Sequence, residues 1–253
     1  MTTWAPVPGV NDLLVRLRDG VSAILGERLF GIALYGSLAT GGFTAETSDI
    51  DFVVALNAPL SPEEDAALEA FHRRLQVEGG KWAAKLEGAY VPLADLRRRS
   101  AETGPYLVIN EGQIYRAGLG SDWVIQRHTL VTNPVSVVGP SLAEHIDPVS
   151  TEEIRAAVRG IFTEWWDPMV REGDLLERHD YRQYAVLTMC RVLQLFHTGV
   201  TASKPAAAEW ALTALDPRWH PLIRWAQAWT PGAPAAEVDE VKAMIREGSR
   251  VVG

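Results

Sequence analysis

Apolar residues recur at helical spacing through Val10, Leu13, Leu14, Leu17, Val21 and Ile24, and Gly26 follows as a stop, so residues 9–26 are predicted to form an amphipathic helix. Two short apolar runs come next, Phe30–Tyr35 and Ile50–Leu56. They are continuous rather than periodic and rich in β-branched and aromatic residues, which predicts strands. Between them lies a small-residue loop with Gly36, Gly41 and Gly42. Ser61-Pro62-Glu63-Glu64 is a capping box with proline at the first helical position, opening a helix to about Val77 that turns Leu68, Phe71 and Leu75 inward before Gly79-Gly80. Trp82–Val91 predicts a third strand, with Lys85 and Glu87 on one face and Leu86 on the other. Residues 92–99, ending Arg97-Arg98-Arg99, predict a short helix. Tyr106–Ile109 and Gln113–Tyr115 read as strands joined by a turn at Asn110-Glu111-Gly112, while Asp122–Asn133 fits strand or helix.

Val135–Pro140 ends this region, and the proline-containing segment Gly139–Ser150 is the best domain boundary. Ser150-Thr151-Glu152-Glu153 is a second capping box, and the pattern beyond it is helical. Ile154, Val158, Ile161 and Trp165 mark one helix; Tyr184, Leu187, Val192, Leu195 and Phe196 mark another, ended by Gly199. Pro205–Leu215, Pro221–Trp229 and Glu237–Arg246 predict three more. The fold class is α+β: a small mixed-sheet domain over residues 1–149, then an all-helical bundle over 150–253.

Composition narrows the function. A chain of 253 residues with 47% hydrophobic and 22% charged residues is that of a globular protein with one large or two modest domains. A net charge of −8 argues against a nucleic-acid backbone as partner and is compatible with a cationic substrate. The single cysteine, Cys190, excludes an intramolecular disulfide and fits a reducing cytoplasm. The start, MTTWAPVPGV, lacks a signal pattern, and no apolar run approaches a membrane span. The expectation is a cytoplasmic monomer with neither nucleic acid nor membrane as partner.

The chemistry gathers at the start of the second strand. Asp49 and Asp51 stand two residues apart, so their carboxylates share a face about 6–7 Å apart. Two such groups repel unless a cation sits between them, and Mg²⁺ suits them because it takes oxygen ligands and is shared with phosphates. Gly36-Ser37 closes the first strand without bulk, offering backbone N–H groups and one hydroxyl to a phosphate. Singly, an Asp-x-Asp is more often a solvated edge and a Gly-Ser more often a turn. Together, as strand, Gly-Ser, a gap of about ten residues, Asp-x-Asp and strand, they resemble the signature of the DNA polymerase β-type nucleotidyltransferase superfamily. Such transfer also needs a proton acceptor or a further metal ligand. Glu87 completes that triad, against the plainer reading of an exposed edge residue.

Over its whole length the chain resembles the streptomycin/spectinomycin adenylyltransferase family. The resemblance runs through Gly36-Ser37, Ser48-Asp49-Ile50-Asp51 and Leu86-Glu87, then Val138-Gly139-Pro140, Asp147-Pro148-Val149 and Val186–Arg191. It continues through Thr198-Gly199, Ser203-Lys204 and Ala208-Glu209-Trp210-Ala211. It implies a nucleotidyltransferase domain followed by a helical domain, with ATP as co-substrate and Mg²⁺ as cofactor. Gly36, Ser37 and Ser48 would face ATP phosphates, Asp49 and Asp51 would hold Mg²⁺, and Glu87 would be the base and a possible metal ligand. Arg191 and Lys204 would reach the triphosphate, and Trp229, with Trp225 as competitor, would stack on ATP. For Arg191 a salt bridge with Glu209 competes with that role; for Lys204 a solvated cap does.

The implied acceptor is a hydroxyl of a small cationic antibiotic, an aminoglycoside or aminocyclitol, whose modification confers resistance. Streptomycin-modifying members carry a Trp in an "-EWQ-" stretch and an Asp at the start of the Arg-bearing helix. Here Asn110–Tyr115 lacks the Trp and Tyr181 takes the Asp position, with Asp180 one residue earlier, which favours a spectinomycin-like acceptor over streptomycin and leaves another aminocyclitol or an unrelated small alcohol open. Trp165, Trp166, Asp167, Glu172, Asp174 and Asp180 could line a cationic-ligand site; alternatively the Trp pair is core and the acids a solvated loop. Competing functions are a nucleotidyltransferase acting on protein or RNA, and a non-catalytic nucleotide-binding module.

Overall fold

A six-stranded mixed sheet organises the first of two units in the computed structural model, which describes residues 3–97, 104–172 and 174–253. That unit comprises residues 1–119 and 126–148; the second comprises 120–125 and 149–253. Residues 120–125, assigned to the sheet domain by the sequence pattern, thus group with the helical unit. There the Ser121 N–H and hydroxyl donate to the Glu164 carboxylate at 3.0 and 2.6 Å.

In chain order the first unit contains α1 (Pro8–Leu25), β1 (Leu29–Leu34), α2 (Gly36–Thr40), β2 (Ile50–Leu56), α3 (Pro62–Glu78) and α4 (Gly80–Ala83). There follow β3 (Leu86–Pro92), α5 (Leu93–Arg97), β4 (Tyr106–Asn110) and β5 (Gln113–Ala117), then α6 (Asp122–Thr132), whose first four residues group with the second unit, and β6 (Val135–Val138). The strand order is β5-β4-β3-β2-β1-β6. Only β2 and β3 run parallel; the other pairs are antiparallel. The parallel pair needs a crossover, and α3 supplies it, opened by reciprocal Ser61–Glu64 bonds that hold the Glu64 carboxyl below its ordinary range.

Strand alternation sorts the two faces. Ile50, Phe52, Val54 and Leu56 of β2 and Leu86 and Tyr90 of β3 join one core with Leu13, Leu14, Leu17, Leu68 and Leu75 from α1 and α3. Asp51, Val53 and Ala55, with Glu87, Ala89 and Val91, therefore point to the other face. The core contains one imidazole: His72 Nε2 lies 2.7 Å from the Tyr90 hydroxyl, and burial pushes its pKa down to about 3.

Three local expectations are corrected and one open stretch is decided. The third strand begins at Leu86, because Gly80–Ala83 is a helical turn that buries Trp82 and Ala83; Lys85 therefore precedes the strand and does not share its face with Glu87. Asp49 likewise precedes β2, which begins at Ile50. The segment after the first strand is not simply a loop: Gly36–Thr40 forms a helical turn, closed by Gly41 with φ +75°. The ambiguous stretch is a helix, Asp122–Thr132. The turn between β4 and β5 lies where the pattern put it, with Glu111 and Gly112 at φ +46° and +77°. Of the helix expected over 92–99, Arg98 and Arg99 lie outside the described residues.

The second unit is helical: α7 (Thr151–Ile161) runs through a π-helical turn at Phe162–Trp166 into α8 (Asp167–Glu172). α9 (His179–Thr198), α10 (Lys204–Ala214), α11 (His220–Ala228) and α12 (Val238–Val252) complete it. α9 is the hub, packed against α7, α10, α11 and α12. Among the described residues no helix is long and apolar enough to cross a membrane.

Candidate active site

In the parallel pair, Asp51 is the direct register partner of Glu87, as Ile50 is of Leu86. Register neighbours on parallel strands lie about 4.8 Å apart and point to the same face. The two half-buried acids thus stand side by side where β2 and β3 begin, and Asp49 lies one residue before β2. The turn after β1 closes over them. The Tyr35 N–H donates to the Asp51 carbonyl at 3.1 Å, and Gly36 follows with φ +59°. A Cβ at Gly36 would lie 1.9 Å from Asp51 Oδ2, so only glycine lets the carboxylate rest against this backbone. Ser37 Oγ is buried and has no hydrogen-bond partner among the described residues. A buried hydroxyl without a partner is costly, and a phosphate oxygen would satisfy it.

These features fit Mg²⁺. Among the described residues no three His, Cys, Asp or Glu side chains form a ready-made cage. Mg²⁺ is commonly held by one or two carboxylates and completes its shell with substrate phosphates and water. Asp49, Asp51 and Glu87 offer such hard oxygen donors beside the orphaned Ser37 hydroxyl.

The stretch before Asp49 is a small hydrogen-bonded loop. Ser48 N–H donates to the Thr44 carbonyl at 3.0 Å, and Ser48 Oγ accepts from the Thr44 N–H at 2.9 Å. Lys85 Nζ donates to the carbonyls of Ala45, Glu46 and Ser48 at 3.4, 3.1 and 3.0 Å. The sequence pattern did not single out Lys85, because its acceptors are backbone atoms about forty positions away, which no side-chain motif encodes.

Arg191, Lys204 and Trp229 lie in the helical unit. From 185 to 195 every residue of α9 is buried except Arg191, which is half-buried. Its guanidinium makes no hydrogen bond or ion pair among the described residues. The alternative partner Glu209 instead accepts from Gln227 Nε2 at 2.6 Å. One turn back from Arg191, Thr188 Oγ1 is buried and has no hydrogen-bond partner among the described residues. A charge on such a helix wants an anion. Lys204 heads α10, with Nζ 4.3 Å from the centre of the Tyr184 ring. Trp229 caps α11 and donates its indole N–H to the Ala233 carbonyl at 3.3 Å; Trp225 donates to the Pro234 carbonyl at 3.0 Å.

Four of the other candidates have structural partners, and Glu172 and Asp174 are exposed. Trp166 is core, whereas Trp165 is exposed and donates to the Tyr181 hydroxyl at 3.2 Å. Asp167 accepts from Ser249, and Asp180 pairs with Arg178, whose hydrogen bonds hold its carboxyl below the usual range. Burial pushes the Cys190 thiol up to about 12, which rules it out as a nucleophile.

Comparison with known proteins follows the same division of the chain. Residues 14–90 match a nucleotidyltransferase domain, and residues 144–252 match the aminoglycoside adenylyltransferase C-terminal domain. An aminoglycoside (3'') (9) adenylyltransferase of Klebsiella pneumoniae is 26% identical over 98% of both chains. A spectinomycin 9-adenylyltransferase of Staphylococcus aureus is 28% identical over 79% of this chain and 76% of its own. The fold is similar to that of the spectinomycin adenyltransferase AAD(9) from Enterococcus faecialis, solved with ATP and spectinomycin, at a TM-score of 0.75 and 18% identity over 96% of this chain and 98% of the other. The first match covers the sheet unit's acids and the second most of the helical unit, so residues 144–252 belong to the aminoglycoside adenylyltransferase C-terminal domain family, and the chain, similar to adenylyltransferases over most of its length, is a nucleotidyltransferase enzyme.

Proposed function

We propose that the protein transfers AMP from ATP to a hydroxyl of an aminoglycoside or aminocyclitol, preferring a spectinomycin-like acceptor to streptomycin and using Mg²⁺. The observation that carries this reading is the in-register Asp51–Glu87 pair, roofed by Gly36 and flanked by the orphaned Ser37 hydroxyl. The spectinomycin preference is supported by the Staphylococcus aureus relative and by the absence of a Trp from Asn110–Tyr115. It is also supported by Tyr181, whose hydroxyl is engaged by Trp165 where streptomycin-modifying members carry Asp.

In this mechanism Asp49 and Asp51 would hold the metal, which when bound would neutralise phosphate charge. Ser37 donates its hydroxyl to a phosphate oxygen, and Ser48 faces the same group. Glu87 accepts the proton of the acceptor hydroxyl. That oxygen forms a bond to the α-phosphorus, the α–β phosphoanhydride bond breaks, and pyrophosphate leaves. Arg191 and Lys204 are the cations proposed for the triphosphate, a role supported by the absence of any ion pair at Arg191 among the described residues. Trp229 is proposed to stack on the adenine.

The test is pyrophosphate release with ATP, Mg²⁺ and a panel of aminoglycosides and aminocyclitols. Spectinomycin should be turned over and streptomycin poorly. Asp51→Asn should lower turnover by about a thousandfold, since a lost metal ligand removes several kcal/mol of transition-state stabilisation. A folded Asp51→Asn variant with undiminished turnover would refute the site.

A further inference from the structure

We propose that Lys85 is a positioning residue for the nucleotide site, acting through Asp49 and Ser48 rather than on the substrate. This inference rests on the nucleotide site proposed above. The ammonium group has three donors, and here three backbone carbonyls converge on it, those of Ala45, Glu46 and Ser48. The Ser48 carbonyl belongs to the peptide that precedes Asp49. The peptide that follows Asp49 is held by the same residue, because the Ile50 N–H donates to the Lys85 carbonyl at 2.7 Å. Lys85 thus grips both peptide groups flanking Asp49, one with its side chain and one with its backbone. The backbone direction at this acid is fixed from the start of β3, where Glu87 stands two residues on.

The loop's own bonds, Thr44 to Ser48 and Thr44 to Thr47, give it a shape but do not tie it to the sheet. The ammonium does. It is itself steadied by buried Trp82, whose ring centre lies 5.7 Å from Nζ. Removing the charge leaves carbonyls that water can solvate, so the fold survives while the loop loosens. The predicted consequence is selective: poorer placement of Ser48 and Asp49 weakens nucleotide and metal binding but not acceptor binding. Arginine keeps the charge, yet its planar fork fits three converging carbonyls less well than a compact ammonium.

The experiment compares the full chain with Lys85→Met and Lys85→Arg. A non-transferable ATP analogue with Mg²⁺ is titrated calorimetrically, amide exchange is followed over residues 44–48, and KM is measured separately for ATP and spectinomycin. Lys85→Met should weaken analogue binding and raise KM for ATP by about tenfold, the scale of one charge-assisted contact. It should speed exchange in the loop and leave KM for spectinomycin within about twofold. Lys85→Arg should recover part of the loss. Analogue affinity in Lys85→Met equal to wild type, or a uniform fall in every parameter tracking loss of folded protein, would overturn the inference. Failure of the wild-type chain to bind the analogue at all would instead overturn the nucleotide site on which it rests.

Discussion

Replacing Gly36 with alanine separates the geometry of this site from its stability. At φ +59° an alanine sits in the left-handed region, at a cost of about 1 kcal/mol relative to glycine. The larger effect is steric. The new Cβ would lie 1.9 Å from Asp51 Oδ2 and 2.5 Å from its Cγ, so the carboxylate must retreat by about 1 Å to reach a tolerable contact. A displacement of that size at a reacting centre costs about a hundredfold in rate, or about 2.7 kcal/mol. Gly41 is the matched control: its φ is +75°, but a Cβ there would meet nothing within 4 Å. Gly41→Ala should therefore share the backbone cost without the collision. The assay is kcat/KM for pyrophosphate release beside thermal unfolding of both variants. Both should be destabilised similarly, by about 1 kcal/mol from the backbone, and only Gly36→Ala should lose activity. Wild-type kcat/KM in a folded Gly36→Ala protein, or an equal loss in Gly41→Ala, would refute the argument that Asp51 must rest against bare backbone.

Glu87→Gln should abolish transfer while leaving ATP affinity within about threefold in calorimetry, because a base acts on the acceptor's proton and not on the triphosphate; a collapse of ATP binding would make Glu87 a metal ligand instead. The His72 imidazole titrates near 6.5 in the unfolded chain and at about 3 in the folded one. The unfolded state therefore binds the extra proton as pH falls through that window, and stability drops. From pH 6 to pH 4 this is on the order of 2 kcal/mol, measurable by urea unfolding, and His72→Phe should remove that slope although it leaves the Tyr90 hydroxyl without its partner. An unchanged pH slope in His72→Phe would show that another group carries the acid sensitivity.

What the sequence determined by itself was whatever depends on neighbours along the chain. The helical period of Val10 to Val21, the capping boxes at Ser61 and Ser150 and the glycine stop at 199 are local, so α1, α3, the start of α7 and the end of α9 could be placed to within a residue or two, whereas α9 begins at His179, before the marked Tyr184, and α12 runs past the expected Arg246 to Val252. The Gly-Ser and Asp-x-Asp spacing is local too, and with the helical-domain motifs it sufficed for the family. Short apolar segments were less legible. Trp82 and Ala83 are as apolar as a strand, yet they form a helical turn that buries against other elements, and burial looks the same in either conformation. Only the tertiary structure decided that β2 and β3 pair in parallel with Asp51 opposite Glu87, because register is set by contacts across more than thirty residues. Only it showed that Gly36 leans on Asp51, that Glu209 is taken by Gln227 and leaves Arg191 without an ion pair among the described residues, and that the Lys85 ammonium gathers three carbonyls ahead of Asp49. Hydrogen bonds to backbone atoms leave no trace in side-chain identity, so a clamp of this kind becomes visible only when the chain has been folded back on itself.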